Sequence, residues 1–220
     1  GILAPRGDEQ ELKDLGAVPI DLVVANLYPF EQVVAKPEVS LAEAIENIDI
    51  GGVSLIRAAA KNASRVGVVV RPARYPDVLA ALRQHGDLPQ ALREHLALEA
   101  FEYTSRYDAA IYNYLWSRRG NPLPPAMRLA FDKAADLRYG ENPYQKAALY
   151  REPTTVASAA AAEKLQGKEL SYNNLVDLDS ALRIALEFDE PAVVVIKHTN
   201  PCGVALGKTL LSILAAFAFT

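Results

Sequence analysis

Cysteine is almost absent from this chain of 220 residues: Cys202 stands alone. No disulfide can form within the chain, which fits a reducing compartment and a cytoplasmic location. The three histidines, His85, His95 and His198, are scattered, so no Cys/His zinc site and no metal is expected. An excess of positive charge is lacking too. Lys and Arg number 23 against 27 Asp and Glu, a net charge of -4. That leaves no global field for nucleic acid or an anionic membrane, and neither is expected as a partner. No apolar run reaches the roughly 20 residues needed to span a bilayer. The opening GILAPRGD has no basic stretch leading into an apolar one, unlike a signal peptide. GVALGKT at 203–209 lacks the full spacing of a phosphate-binding P-loop. What remains is balance: half of the residues are hydrophobic, and the length suits one large domain or two modest ones.

Val18 to Asn26 is a β-branched run that reads as a strand, closed by Leu-Tyr-Pro-Phe, since Pro29 cannot donate to a ladder. Ser40, with Glu43 three residues on, is the capping-box pattern of a helix start. Gly51-Gly52 reads as a flexible turn before the helical VSLIRAAAKN. Val66 to Val70 is a continuous apolar run that suits a strand of a parallel sheet buried on both faces. A helix is expected from Pro76 to Gly86. A longer one follows from Pro89 to Arg119, with Tyr103 in its apolar set and Tyr107-Asp108 as a candidate break. The cluster GNPLPP at 120–125 is the strongest punctuation, so residues 1–120 read as one domain, 121–126 as a linker and 127–220 as a second domain. Beyond it, Met127 to Tyr139 reads as extended and TTVASAAAAEK as a surface segment or weak helix. Leu175 to Phe188 is an amphipathic helix, and Ala192 to Ile196 the most apolar strand. LLSILAAFAFT at the end reads as a helix whose packing partners are missing. The alternation of strands and helices predicts an α/β architecture.

In open α/β sheets ligands collect beyond the carboxyl ends of strands. Two strands deliver polar groups there: Asn26 and Tyr28 after the first, Lys197, His198, Thr199 and Asn200 after the last. Neighbouring strand residues face opposite ways. Lys197 and His198 therefore converge only if the backbone turns, for which Asn200-Pro201 supplies a signal. A histidine takes protons near neutrality, and an adjacent ammonium stabilises oxyanion charge. The plainer reading is a solvated lysine beside a histidine packed under a loop. Asp49 precedes a helix start whose free N–H groups hold a carboxylate, a carboxamide or a phosphate. Lys61 at the far end of that helix is equally explained by the helix dipole. Arg138-Tyr139 offers a guanidinium fork and an aromatic face, or simply a turn with a surface arginine. Ser171 to Asn174 offers hydrogen bonds to a small molecule, or begins the next helix. Cys202 reads as a small packing residue.

In order along the chain stand NLYPF (26–30), IDIGG (48–52), RAAAKN (57–62), LRYGENPYQ (137–145), LSYNNLVDLDSAL (170–182) and VIKHTNPCGVA (195–205). Together they resemble the bifunctional purine-biosynthesis enzymes that join a formyltransferase to a cyclohydrolase. The likeness runs from Gly1 to about Gly207. It implies an incomplete methylglyoxal-synthase-like parallel-sheet domain, followed by the beginning of an α/β cytidine-deaminase-like transformylase domain. It also implies two reactions. In the first, the amine of an aminoimidazole carboxamide ribotide takes the formyl group of 10-formyltetrahydrofolate, a co-substrate. In the second, the product closes with loss of water to inosine monophosphate. By resemblance His198 is the base of formyl transfer and Lys197 its assistant, with Arg138, Tyr139 and Asn174 on the ribotide. Lys61 is implied as the proton-transfer lysine of cyclisation, with Tyr28 and Asp49 as its partners in the pocket and Ala25, Asn26 and Ile50 touching the nucleotide.

The same resemblance implies a homodimer whose transformylase sites use both subunits. It places a phosphate-binding region before Gly1 and the folate site after Thr220. The expectation is that the chain alone is inactive in both reactions and poorly stable, with exposed apolar sheet edges. A different function class remains open, because the first half also resembles methylglyoxal-synthase-like modules that act as non-catalytic regulatory domains for phosphate ligands. Such a module has no use for LRYGENPYQ or the VIKHTNPCG strand end.

Overall fold

The computed structural model describes residues 1–5, 7–152, 158–209 and 213. Its contacts divide the chain into two compact units, Gly1–Leu129 and Ala130–Thr220.

In the first unit, β1 (Leu22–Val24) and β2 (Gly67–Val69) form a parallel pair with Val23 opposite Val68. Parallel strands need a crossover, and here it carries α2 (Phe30–Val34), α3 (Leu41–Glu46) and α4 (Gly51–Lys61). β2 is buried throughout, as its unbroken apolar run predicts. β1 is shorter than the expected Val18–Asn26, because Pro19 has no N–H to give and the partner strand offers only three residues. The pairing is extended at its ends by Gly67 N–H to Asp21 O (2.8 Å) and Ala25 N–H to Val69 O (3.1 Å). Leu22 and Val24 are exposed, so one side of this strand is uncovered.

A short helix, α1 (Glu9–Asp14), precedes β1, and two longer ones, α5 (Tyr75–His85) and α6 (Gln90–Ser117), follow β2. α5 has Pro76 in its first turn and closes on Gly86 at φ 69°, a left-handed position that only glycine takes cheaply. α6 runs unbroken through Tyr107-Asp108, the candidate break, since no glycine or proline interrupts it from 90 to 117. Ala59 of α4 and Ala100 of α6 are both fully buried, and the two helices pack together. Phe30, Ile56, Val66, Val68 and Leu96 fill the rest of the core, each contributing about 2–3 kcal/mol of burial. The 121–126 segment folds back on the end of α6. Trp116 Nε1 donates to Asn121 O (2.8 Å), and Asn113 Nδ2 donates to Arg128 O (2.8 Å).

The strands of the second unit form two antiparallel pairs. β3 (Asp132–Leu137) pairs antiparallel with β4 (Ala147–Arg151), and β5 (Ala192–Lys197) with β6 (Asn200–Leu206). The AVVVI run is thus one arm of a hairpin, and Val195 in it is exposed. An apolar run states that a strand is favoured but not which neighbour it takes. α7 (Tyr172–Ala185) packs on β5. Its N-cap Ser171, 1% exposed, accepts from Asn174 N–H, while Asn174 Oδ1 accepts from Ser171 N–H: a full capping box. The helix ends at Ala185, short of the expected Phe188, and Leu178 on it and Phe188 beyond it are both exposed. Cys202, expected to pack, is exposed on β6. Of TTVASAAAAEK, Ala159–Ala161 form a 3-10 turn, while 154–157 lie outside the described residues. So does the helix expected over LLSILAAFAFT, apart from Ile213. Among the described residues no helix is long and apolar enough to cross a membrane.

An ion cluster ties the start of α5 to α6. Arg74 Nε donates to Glu99 Oε1 (2.9 Å) and Arg74 also meets Asp77 (3.3 Å), while His95 Nε2 lies 3.5 Å from Glu99. The hydrogen bonds and charge of Arg74 hold the Glu99 carboxyl below its ordinary range, against the opposing effect of burial. A depressed carboxyl pKa stabilises the fold above the unfolded value of about 4.3, and that stabilisation is lost as pH falls through the folded value. Arg74→Ala removes the depression. Thermal unfolding followed from about pH 7 down to 3 should therefore show the variant less stable than the parent near neutrality, with the difference shrinking as pH falls from about 4.3 through the folded value.

Candidate functional site

The carboxylate of Asp49 joins three segments of the first unit. Its Oδ1 accepts the N–H of Gly52 (2.7 Å) and its Oδ2 the N–H of Tyr28 (3.3 Å). Its own N–H donates to the hydroxyl of Tyr107 on α6 (2.8 Å), which donates onward to Asn47 O (3.2 Å). One turn earlier, the Tyr103 hydroxyl accepts the N–H of Leu27 (3.1 Å). Burial pushes the Tyr107 phenol above its ordinary pKa, so it keeps the proton it donates.

Gly51-Gly52 is not a turn ahead of the helix but the first turn of α4 itself. The reason is the carboxylate: a Cβ on Gly52 falls 2.7 and 2.9 Å from the two Asp49 oxygens. Tyr28 (57% exposed) and Ile50 (74% exposed) stand open beside this joint. Asn26 Nδ2 donates to Val70 O (2.7 Å), so its side chain continues the strand pairing. Beside Tyr28, a cavity of about 260 Å³ is lined by Leu27, Phe30, Glu31, Tyr103, Arg106 and Tyr107 among others. Tyr28 and Asp49 are thus brought together, and Lys61 is not. It sits at the opposite end of α4, about 15 Å along the axis at 1.5 Å per residue.

In the second unit, α7 gathers the candidate residues at its N-terminal end. The segment after β3 docks there through Arg138 N–H to Leu170 O (2.8 Å) and Tyr172 N–H to Tyr139 O (3.0 Å). Asn173 Nδ2 adds a bond to Glu141 O (3.1 Å). The Arg138 guanidinium lies 4.8 Å above the Tyr139 ring and donates to its hydroxyl (3.2 Å). Stacked this way, the charge is held over an aromatic face while both groups remain at the surface. Asn174 has its side-chain oxygen in the capping box, so a ligand is left its amide nitrogen.

One turn along, Asp177 Oδ1 accepts the N–H of Thr199 (2.7 Å). Thr199 and His198 form the two-residue tip of the β5–β6 hairpin, with φ of 62° and 53°. The turn therefore falls at His198-Thr199 and not at the expected Asn200-Pro201, which belongs to β6. Two positive φ values define the tight hairpin turn that normally takes Asn-Gly. A β-branched threonine there is strained by about 1–3 kcal/mol. Asn200 Nδ2 donates to His198 O (2.8 Å) and braces the tip. Lys197 ends β5 opposite Asn200, and the lysine and histidine are both exposed. Among the described residues no group of three or more His, Cys, Asp and Glu is placed to hold a metal.

The family model described as the AICARFT/IMPCHase bienzyme matches residues 59–219. The chain belongs to that family. It is 54% identical over 221 residues to the bifunctional purine biosynthesis protein PurH of Desulfitobacterium hafniense (strain DSM 10664 / DCB-2), covering 96% of this chain and 43% of that protein. With PurH of Bacillus cereus (strain 03BB102) it shares 52% over 214 residues, 96% of this chain and 42% of the relative. It thus spans less than half the length of these curated relatives. A solved structure titled "Crystal structure of ForH" aligns at 35% identity with a TM-score of 0.44, over 52% of this chain and 61% of that one.

Within the bienzyme family motifs, sequence reasoning singled out Tyr28, Asp49, Arg138, Tyr139 and His198 but missed the residues that hold them. Tyr103 was expected among apolar packing positions and Tyr107 at a helix break. Their spacing of four on one helix was the available signal. Asp177, three residues beyond Asn174 on α7, carried the same kind of signal. Because Thr199 is strained, Thr199→Gly should raise the unfolding free energy by about 1 kcal/mol, net of the added unfolded-state entropy. Asp177→Ala should lower it by about 1 kcal/mol. Urea unfolding of the two variants against the parent checks both signs.

Proposed function

We propose that this chain contributes to the last two steps of purine ribotide synthesis, formyl transfer and cyclisation. Its second unit would carry the first step and the Asp49 joint the second. The observation that carries the reading is the convergence on the N-terminal turns of α7. There Arg138 and Tyr139 dock beside Asn174, and Asp177 holds the turn that presents His198.

In formyl transfer, the Arg138 guanidinium suits the ribotide phosphate and the Tyr139 face the imidazole ring. The substrate's amine is a weak nucleophile, because its lone pair is delocalised into the ring. His198 takes the proton of that amine as its nitrogen bonds to the formyl carbon of the donor. Lys197 stabilises the charge that develops on the formyl oxygen. The carbon–nitrogen bond to tetrahydrofolate then breaks, and the departing nitrogen receives a proton. In cyclisation the carboxamide nitrogen attacks the new formyl carbon and water leaves. Asp49 and Tyr28 orient the carboxamide end, and Ala25, Asn26 and Ile50 line the approach. Lys61, the lysine that the resemblance implies for proton transfer, acts on the same ligand only if that ligand spans the length of α4. The finer fold assignments remain part of this proposal: a methylglyoxal-synthase-like first unit and a deaminase-like second, assembled as a homodimer in the cytoplasm.

In a complete enzyme of the family carrying these residues, His198→Ala should cut formyl transfer by about 10²–10⁴-fold. Cyclisation of the preformed formylated ribotide should continue in that variant. Lys61→Ala should do the reverse if the lysine moves the proton. Loss of both activities in folded His198→Ala protein would sink the assignment of separate sites.

A further inference from the structure

The loops carrying Tyr28 and Asp49 belong to neither helix nor strand, yet both are tied to one face of α6. Tyr103 and Tyr107 stand four residues apart, one above the other on that helix. The Tyr103 hydroxyl receives the N–H of Leu27. The Tyr107 hydroxyl receives the N–H of Asp49 and gives its proton to Asn47 O. Each bond therefore falls within two residues of a candidate site residue. Tyr107 is 7% exposed, and its ring meets Phe30 edge-on at 6.2 Å between centroids. Phe30 in turn meets Tyr114 of the same helix at 5.7 Å. Apolar packing at this spot needs only rings. The hydroxyls are accounted for by the loop groups they reach, because loop amides have no ladder partner and are costly to bury unpaired.

We propose that Tyr103 and Tyr107 are positioning residues. They use α6 as a fixed rail to hold the Asn26–Tyr28 and Asn47–Asp49 loops in register, so that the Asp49 carboxylate meets its substrate already placed. This deepens the cyclisation reading and rests on it. Tyr107 acts through Asp49 and does not touch substrate. It accepts the backbone N–H of the residue whose side chain seats the start of α4 and the Tyr28 amide. Tyr103 acts through Leu27, the residue between Asn26 and Tyr28. Misplacement of about 1 Å at a reacting centre costs on the order of 10²-fold in rate, which sets the scale of the effect.

The test uses Tyr107→Phe and Tyr103→Phe in a complete enzyme of the family carrying these residues, because phenylalanine keeps the ring packing and removes only the hydroxyl. Tyr107→Phe should lower kcat for cyclisation by about ten- to a hundredfold, with KM changing less. Amide exchange should quicken at Asp49 in that variant and at Leu27 in Tyr103→Phe. On an Asp49→Ala background, adding Tyr107→Phe should cost little more, since both changes act on one element. Unchanged exchange at Asp49, or the same kcat loss with and without Asp49, overturns the inference. Full cyclisation by Asp49→Ala would instead overturn the reading of the site. The exchange data alone would then decide whether the tyrosines hold the loops.

Discussion

A single carboxylate fixes the geometry of the first unit. Asp49 has two oxygens and one N–H, and each is committed to a different segment: the start of α4, the loop after β1, and helix α6. The orphan N–H groups of a helix start need an acceptor, and a carboxylate also complements the helix dipole there. Here the acceptor is supplied from two residues before the helix, which draws the chain so close that position 52 has no room for a side chain. The tight approach, the glycine and the placement of Tyr28 are consequences of one capping interaction.

The second unit repeats the logic with a different helix. α7 is capped by a buried serine and its partner asparagine. The same end docks the Arg138–Tyr139 segment, and Asp177 one turn on grips the hairpin tip. Strain at His198-Thr199 is tolerated because the tip is tied from two sides, by Asp177 and by Asn200. Backbone strain concentrated at a residue of proposed chemical function fits the general pattern in which a stable scaffold supports an unfavourable local conformation. Of the residues proposed to meet substrate, Tyr28, Ile50, Arg138 and His198 are exposed while Asp49 and Tyr139 are half-buried, and backbone amides, capping groups and the tyrosine hydroxyls of α6 hold them.

Much of this order was legible in the sequence. Ser40 does cap α3, with Glu43 N–H donating to its hydroxyl at 3.1 Å, and Gly86 closes α5. The all-apolar VGVVV run became the buried strand its composition requires. Local chemistry of that kind is written in a few adjacent residues. Pairing was harder. AVVVI resembles a buried parallel strand as closely as a hairpin arm, and the turn that decides the matter is made by His-Thr, a pair with no turn propensity of its own. Gly51-Gly52 misled in the same way, because its explanation lies in the Asp49 carboxylate rather than in flexibility. Tyr103 and Tyr107 were legible only as ring positions on a helix, since their partners lie 76 and 58 residues away.

The central claim is that the Asp49 carboxylate occupies the space over Gly52, and Gly52→Ala tests it most directly. Alanine is favoured over glycine inside a helix by about 0.8–1.0 kcal/mol, so helix propensity alone predicts stabilisation. A methyl group at position 52 must instead displace the carboxylate from the amides of Gly52 and Tyr28. Hydrogen bonds to a charged acceptor are worth about 1.5–3 kcal/mol. Denaturant unfolding should therefore show Gly52→Ala less stable than the parent, by about 1 kcal/mol after the propensity gain is subtracted. An alanine variant as stable as the parent, or more so, would contradict the account.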